Sequence, residues 1–431
     1  MKGDNDGLTR RRFLEHAGVA IGAAAIGAGC GSDDEANTPG GASGASGAGA
    51  SGGAGGAGAA GGEGGAGGAG AAGGEGGAGG AGAAGGAGGA GASGGAGAAG
   101  GAGGAPPDGG NPTDVRVAIV HRDNIDEAVA KAVELAGGLG AIQPGQTVFI
   151  KPNVVNNRAL GTPGIRTSPE VVAAVVRLVK TRNPGRIIVG DRSARTFPDT
   201  QLNFEQTGLR DAALGAGADE IYAGRSPADA PDEWVMVQPP HYEETWAGAG
   251  GLLAMKRILD ADHLINVPTC KDHRYALYSM SMKNFVGAIG DPMRGNLHFG
   301  NFASIGRDIA IFNQIYNPMM NILDATTALI NGGPEGDGAQ AVRTSPGLVC
   351  ASTNRAALDA LGVSLIKLEL TRTTVSQPDP ANATLRQERP FGMPQIVNAG
   401  MLGIGVAGPE AVTLLFDAAS DAAELERIYR S

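Results

Sequence analysis

From residue 115 to the end of the chain, short apolar runs alternate with segments of helical periodicity. Runs rich in β-branched residues predict strands at 115–120, 147–150, 186–189 and 263–267. Apolar residues at helical spacing predict helices after Asn124 and after Ser168, where Pro169 suits the first helical position. Strands that are apolar throughout and alternate with helices predict an α/β fold, with a mostly parallel sheet covered by helices on both faces.

The first 112 residues follow a different pattern. Residues 31–110 hold 39 of the 76 glycines, and a Gly/Ala unit ending in Glu occupies 52–63 and 64–75 and returns at 76–87 with Ala87. Without large apolar side chains, burial cannot offset the entropy of ordering the backbone. We predict a disordered Gly/Ala-rich tether over 31–112, roughly 50 Å from end to end. A silk-like sheet is the alternative.

The leader, residues 1–30, combines a basic start with a short apolar run. The sequence Arg-Arg-Arg-Phe-Leu at 10–14 resembles the twin-arginine (Tat) export signal, and the apolar run at 17–29 is too short to span a membrane. Cys30 follows that run in the position of a lipoprotein cysteine, so we predict lipidation there. The expected partners are the twin-arginine export machinery and a bacterial membrane, with the protein on its periplasmic or cell-surface face. Cleavage without lipidation is the alternative.

These boundaries leave residues 113–431 as the α/β body, long enough for a single large domain or two tightly associated lobes. The formal net charge is −10, of which the body carries about −5. No block of Lys or Arg interrupts the body, which excludes the usual electrostatic footprint of a nucleic-acid binder. We therefore expect no nucleic-acid partner.

The carboxyl ends of the predicted strands carry polar residues. Lys151 and Asn153 follow the second strand, and Asp191 follows the third. Ligands of parallel α/β sheets bind beyond these ends. We predict that Lys151 and Asn153 bind a ligand and that Asp191 belongs to the catalytic group, where it orients a histidine or binds a cation. Turn residues and exposed charges are the alternative interpretation.

The stretch 260–300 is the richest in chemistry. Cationic and titratable groups cluster there in an otherwise acidic chain: Lys271, His273, Lys283, Arg294 and His298. The pattern predicts a helix over 275–289, with Lys283 and Asn284 at its middle. Lysine and arginine would bind an anion, with Asn284 as a further ligand-binding residue, and His273 or His298 would act as general acid or base. We count Lys283 with the catalytic residues. A solvated loop with a snorkelling lysine is the alternative.

Three further features complete the candidate chemistry. The run 321–324 predicts a strand that ends in a candidate ligand-binding carboxylate, Asp324. The histidines have no recognised metal-ligand spacing, so no metal site is predicted. Cys270 and Cys350 would form a disulfide in an exported protein or remain two buried thiols.

Several of these residues occur in an order that resembles a known family. The motifs are Lys-Pro-Asn at 151–153, Gly-Asp at 190–191, Asn-Val-Pro at 266–268, Lys-x-His at 271–273, Lys-Asn-x-x-Gly at 283–287, His298, Asn-Ile-Leu-Asp at 321–324 and Gly-Pro at 333–334. They resemble domain of unknown function 362, over most of 115–370. The family has no established common reaction, so the resemblance names neither a reaction nor a cofactor, and the cofactor stays unknown.

Some members of that family carry ferredoxin-like cysteine clusters. This chain has two cysteines outside the leader, whereas a four-iron cluster takes four thiolates, so we expect no such cluster. A distant likeness to the first domain of nickel-dependent lactate racemases transfers no chemistry.

Three functions remain open at this point. The first is an enzyme acting on a small anionic substrate. The second is a tethered module that binds an anionic solute or cofactor without turnover. The third is a metal or redox accessory protein. Convergence of the Lys and His side chains on one pocket would favour the enzyme.

Overall fold

The computed structural model describes residues 114–242, 250–297 and 302–431. All of these residues belong to one compact unit. The predicted signal peptide, the predicted tether, Cys30 and His298 lie outside the described residues. Within the described part of the chain, no helix is both long enough and apolar enough to cross a membrane.

Thirteen strands are found in the described residues. In chain order they are β1 (Val115–His121), β2 (Thr147–Pro152), β3 (Arg186–Asp191), β4 (Glu220–Ala223), β5 (Trp234–Val237), β6 (Leu252–Met255), β7 (His263–Val267), β8 (Thr269–His273), β9 (Leu277–Ser279), β10 (Met320–Asn331), β11 (Val342–Thr344), β12 (Leu348–Ser352) and β13 (Val412–Asp417).

Eleven of these strands form one sheet, whose main order is β13-β1-β12-β10-β7-β2-β3-β4. Along this order β12 runs antiparallel to both of its neighbours, and every other pair is parallel. The first part of the long strand β10 pairs with β7 and its later part with β8. Because β8 continues from β7 after Pro268, it extends beyond the carboxyl end of the parallel sheet. Strands β5 and β6 form a separate antiparallel pair.

Eleven α-helices are found in the same described ranges. They are α1 (Ile125–Leu135), α2 (Pro169–Lys180), α3 (Thr200–Gln206), α4 (Leu209–Ala216), α5 (Lys256–Leu259), α6 (Met293–Asn296), α7 (Phe302–Phe312), α8 (Arg355–Arg372), α9 (Pro380–Gln387), α10 (Pro394–Met401) and α11 (Ala422–Tyr429). Short 3₁₀ helices occur at Pro231–Glu233, Lys283–Ala288, Pro390–Gly392 and Pro409–Ala411.

Two apolar cores lie on the two faces of the sheet. Alternate residues of β1 enter different cores, Val117 and Ile119 one and Ala118 and Val120 the other, as the two-residue period of a strand requires. The first core also contains buried residues of α7, α8, α9, α10 and α11, and the second contains those of α1, α2, α3 and α4. The predicted α/β fold, a mostly parallel sheet with helices on both faces, is confirmed.

Two local predictions were wrong. The predicted helix over 275–289 is replaced by β9 and the 3₁₀ helix Lys283–Ala288, because backbone N–H groups in this stretch are held by distant side chains. The predicted strand end at Asp324 is also wrong. Strand β10 continues to Asn331, since β8, β11 and β12 all pair with it.

Candidate functional site

A cavity of about 320 Å³ lies at the carboxyl ends of β2 and β3 and against β8. It brings together seven of the residues that the sequence singled out: Asn153, Asp191, Lys271, His273, Lys283, Asn284 and Arg294. Asn153 and Asp191 are there because they follow or end parallel strands, and ligands of such sheets bind beyond the carboxyl ends of the strands, which we call the strand-end rule. Residues 271 and 273 alternate along β8 and therefore point to the same side, into the cavity.

Lys151 lies behind the wall of this cavity. Its Nζ atom is fully buried and donates to Asp191 Oδ1 at 2.5 Å, while Asp191 Oδ2 accepts the N–H of Val154 at 2.9 Å. Burial lowers the pKa of Lys151, and the attraction of Asp191 opposes that effect. The Asp191 carboxylate is thereby fixed at the cavity edge. A Cβ on Gly287 would overlap Asp191 Oδ1 and lie 3.0 Å from Lys151 Nζ, so only glycine fits there.

A chain of asparagine side chains ties the 3₁₀ segment to the strand ends. Asn153 Nδ2 donates to Asn284 Oδ1 at 3.1 Å, and Asn284 Nδ2 donates to Asn266 Oδ1 at 2.8 Å. Asn266 Nδ2 in turn donates to Asn321 Oδ1 at 3.0 Å. Each bond fixes the orientation of the next amide, so Asn153 presents its Oδ1 to Lys271 Nζ at 3.3 Å. The chain makes the cavity floor rigid.

The two lysines of the cavity differ in their partners. Lys271 Nζ donates to the carbonyl oxygen of Ile165 at 2.5 Å as well as to Asn153. Among the described residues, Lys283 has neither a hydrogen-bond acceptor nor a carboxylate partner for its Nζ, although its side chain is only 8% exposed. Burial lowers the pKa of both lysines to about 7. The charge of Lys283 contributes to the lowered pKa of Lys271, that of Arg294 contributes to the lowered pKa of Lys283, and the Glu335 carboxylate opposes both effects.

An arginine cluster, Arg192, Arg195 and Arg294, forms the opposite corner of the cavity. Arg294 Nη2 donates to the carbonyl oxygens of Ser193 and Arg192, and burial lowers the pKa of Arg294 to about 9. Arg192 Nη2 and Arg195 Nε both contact the Asp291 carboxylate, at 3.0 and 3.1 Å. The Nη1 atoms of Arg192 and Arg294 are buried and have no partner among the described residues.

His273 is held in one orientation. Its Nδ1 accepts the backbone N–H groups of Tyr275 at 3.1 Å and Ala276 at 3.2 Å. This bonding pattern assigns the ring proton to Nε2, because an acceptor nitrogen carries no proton. Protonation of Nδ1 would break both bonds. His273 therefore suits hydrogen-bond donation through Nε2 better than the general-base role predicted for it.

Asp324 is not part of the cavity. It lines a second cavity of about 520 Å³, near the start of α2. Its carboxylate accepts the backbone N–H of Ser168 at 2.7 Å and both the N–H and the hydroxyl of Thr326, at 3.1 and 2.6 Å. Burial raises its pKa. These bonds occupy both oxygens and join β10 to α2, so the structure gives Asp324 a structural position.

The two cysteines of the body and its metal-binding capacity were also open questions. Cys270 and Cys350 are free and buried, which decides between the two alternatives, and burial raises the pKa of both thiols. Within the described residues, no group of three or more His, Cys, Asp or Glu side chains could hold a metal ion.

Sequence reasoning missed several residues around the cavity. Arg192 directly follows Asp191 at the end of β3, so the strand-end rule could have found it. Arg195 and Glu335 carry no comparable signal, because they reach the cavity from loops. The sequence around Asp359 predicts only a helix position, in the middle of α8. Its carboxylate nevertheless accepts the backbone N–H groups of Ser281 and Met282.

The fold and the site define an α/β protein with a cation-lined pocket at the strand ends. The family model "Domain of unknown function (DUF362)" matches residues 148–364, half of the chain. The chain belongs to this family.

Three known proteins are similar to parts of this chain. A thylakoid-associated protein of Synechocystis sp. is 29% identical over 248 residues, which are 55% of this chain and 68% of that protein. A protein from Thermotoga maritima of known crystal structure is 11% identical, with a TM-score of 0.34, over 52% of this chain and 55% of its own length. The lactate racemase apoprotein from Thermoanaerobacterium thermosaccharolyticum is also 11% identical, with a TM-score of 0.33, over 76% of this chain and 88% of that chain.

Proposed function

We propose that this chain binds a small organic anion, a carboxylate or a phosphorylated acid, in the cavity at the strand ends. The observation that carries this proposal is the charge of the cavity walls, which contain five cationic side chains and two carboxylates. Both carboxylates have cationic partners, Asp191 in Lys151 and Glu335 in Arg274 at 2.8 Å. Arg192 and Arg195 share the Asp291 carboxylate. Lys271, Lys283 and Arg294 have no carboxylate partner among the described residues, and an anionic ligand would supply the negative charge that they lack.

The dimensions and donors of the cavity suit such a ligand. Its volume of about 320 Å³ is at the lower end of the range for small-molecule sites, roughly 300–1,000 Å³. The side chains of Arg192, Arg294 and Lys283 line the cavity, and their cationic groups are donors from which a carboxylate or phosphate accepts well. Asn153 and Asn284 supply neutral polar contacts on the same surface.

The cavity also supports acid–base chemistry on the bound anion. The pKa of Lys271 and that of Lys283 are both about 7, so either amine changes its protonation state near neutral pH. A general acid or base works best when its pKa is close to the working pH. Lys283 contacts the substrate in this proposal, Asp191 is positioned by Lys151, and His273 donates through Nε2. The candidate role of His298 stays a prediction.

Capture without turnover is the second candidate. It is favoured by the backbone N–H groups of Tyr275 and Ala276, which occupy His273 Nδ1 and leave this nitrogen unavailable as a base.

A ligand panel tests both candidates. We would titrate the purified full chain with 2-hydroxy, 2-oxo and phosphorylated acids by calorimetry, and follow product formation in the same samples. We expect at least one acid to bind, and Lys283→Met to weaken its binding by about tenfold or more, the cost of losing one charge-assisted hydrogen bond. The matched control is Lys180→Met, which removes an exposed lysine of α2. Absence of binding by every acid would overturn the proposal, and binding without product would favour capture.

We also propose that the chain is exported by the twin-arginine route and tethered to a membrane through a lipid on Cys30. The proposal rests on the leader sequence and on the Gly/Ala-rich tract that separates it from the body. The Synechocystis relative is named for its association with thylakoids, which are membranes, and this supports the tethering.

Fractionation of cells tests this second proposal. Replacement of Arg10 and Arg11 by lysine is expected to retain the precursor in the cytoplasm, and unchanged export would contradict the route. Cys30→Ser is expected to release the exported chain from membranes. A variant that stays membrane-bound would show that lipidation is not the anchor.

A further inference from the structure

Lys283 is a buried cavity lysine whose Nζ has no partner within the described part of the fold. A buried lysine normally has a carboxylate partner, as Lys151 has in Asp191. Lys283 lines the cavity at 8% exposure and, among the described residues, contacts no acceptor. Burial of this amine costs folding free energy, and no hydrogen bond or ion pair within the described residues offsets that cost. Such an arrangement is useful where a free amine must face a ligand.

The neighbours of Lys283 are fixed cations. Lys271 is tied by Nζ to the Ile165 carbonyl and to Asn153, and Arg294 is tied to the Ser193 and Arg192 carbonyls. Neither can turn away to relieve the repulsion. The charge of Arg294 lowers the pKa of Lys283, and the charge of Lys283 lowers the pKa of Lys271, while the Glu335 carboxylate opposes both effects. The repulsion and the burial together favour the neutral amine, which is the nucleophilic form. The same two cations would hold a carboxylate beside that amine.

We propose that Lys283 condenses with the carbonyl group of a small 2-oxo acid to form a Schiff base, while Lys271 and Arg294 hold the acid's carboxylate. This inference rests on the proposed function, because it names the substrate class of the same cavity. A hydroxy or phosphorylated acid without a carbonyl group would bind there but would not react.

The step balances without a further reactant. Lys283 loses a proton to solvent, its nitrogen lone pair attacks the carbonyl carbon, and the C=O π bond opens to a hydroxyl group. The hydroxyl takes up a proton and leaves as water while the C=N bond forms. One ammonium and one carbonyl thus give one iminium and one water, with no oxidation or reduction.

Trapping with borohydride tests the inference directly. The full chain would be incubated with glyoxylate, pyruvate or 2-oxoglutarate and sodium borohydride, then measured by intact mass and peptide mapping. We expect one reduced adduct per chain, on the peptide that carries Lys283, with the yield increasing from pH 6 to pH 8. Lactate is expected to compete with the reaction and to leave no adduct itself.

Variants and binding measurements make each outcome decisive. Lys283→Arg is expected to lose the adduct, and Lys180→Arg, in which an exposed lysine changes, is expected to keep it. Mapping in the unmodified chain decides the question even where a variant fails to fold. Adducts confined to exposed lysines, or no adduct with any of the three acids, would overturn the inference. If calorimetry then still shows binding of an acid, the proposed function stands without the Schiff base, and if no acid binds, both are overturned.

Discussion

Two groups of buried charge differ in how completely they are paired: one holds the segment 281–288, and the other includes Lys283 of that segment. The first group belongs to α8. Asp359 accepts the N–H groups of Ser281 at 2.7 Å and Met282 at 3.1 Å, and Arg355 donates to Asn313 and to the Tyr316 carbonyl. The second group lines the cavity.

The cavity group consists of Lys271, Lys283 and Arg294, and its pairing is incomplete. Arg294 Nη1 is buried without a partner in the described part of the chain. Lys283 lines the cavity, and its Nζ has no hydrogen bond or ion pair among the described residues. Both groups are almost fully buried, so burial alone does not separate structural from functional charge. The useful distinction is whether hydrogen bonds within the fold satisfy the charge. A satisfied charge stabilises the segment, whereas an unsatisfied one is available to a ligand.

The largest expected effect comes from breaking the satisfied group. Asp359→Ala leaves the N–H groups of Ser281 and Met282 buried without an acceptor, so we expect the free energy of unfolding to fall by about 3 kcal/mol. Urea unfolding followed by circular dichroism would measure it. Asp123→Ala, at an exposed position, is expected to change stability by less than about 0.5 kcal/mol. Equal effects of the two variants would contradict the structural role of Asp359.

Removal of the unsatisfied charge is expected to act in the opposite direction. Lys283→Met keeps the length of the side chain and removes a buried cation that has no partner. We therefore expect the free energy of unfolding to increase by about 1–2 kcal/mol at pH 7, while ligand binding weakens by about tenfold or more. The same urea experiment measures it, with Lys180→Met as the control that should change little. A clear loss of stability in Lys283→Met would mean that the ammonium has a structural partner after all.

The smallest effect is a dependence on pH. The pKa of Lys283 is about 7 in the folded chain and about 10.4 in an unfolded one. Between these values the unfolded state binds more protons, so the stability of the unmodified chain increases as pH increases above 7 and decreases as pH falls towards 7. The advantage of Lys283→Met should therefore shrink by about 1 kcal/mol per pH unit from pH 7 to 8.5. An advantage that is constant over this range would show that the pKa of Lys283 is not lowered.

Much of the fold was predictable from the sequence because strands and helices depend on patterns of apolar residues that are close together in the chain. β-branched runs predicted β1, β2, β3 and β7 to within a few residues, and β7 was predicted at its observed bounds. Since the strand ends followed from the same runs, Asn153 and Asp191 were found at the cavity. The cluster of cations at 271–294 was visible in the sequence for the same reason, because its members lie close together along the chain.

The failures share one cause. The stretch 275–289 has helical periodicity, but Asp359 and the asparagine chain hold its backbone and amides in another conformation. Asp324 has the local sequence of a strand end, but strands β8 and β11 extend β10 beyond it. In each case, contacts between residues far apart in the chain override a local preference.

The sequence by itself determined the α/β class, strands β1, β2, β3 and β7, and the cationic residues Lys271, Lys283 and Arg294. Only the tertiary structure decided that Lys151 is neutralised by Asp191, 40 positions away, while Lys283 is left without a partner in the described residues. The physical reason is that hydrophobic periodicity depends on near neighbours in the chain. The pairing of a buried charge depends instead on which side chains the folded sheet brings within a few ångströms of it.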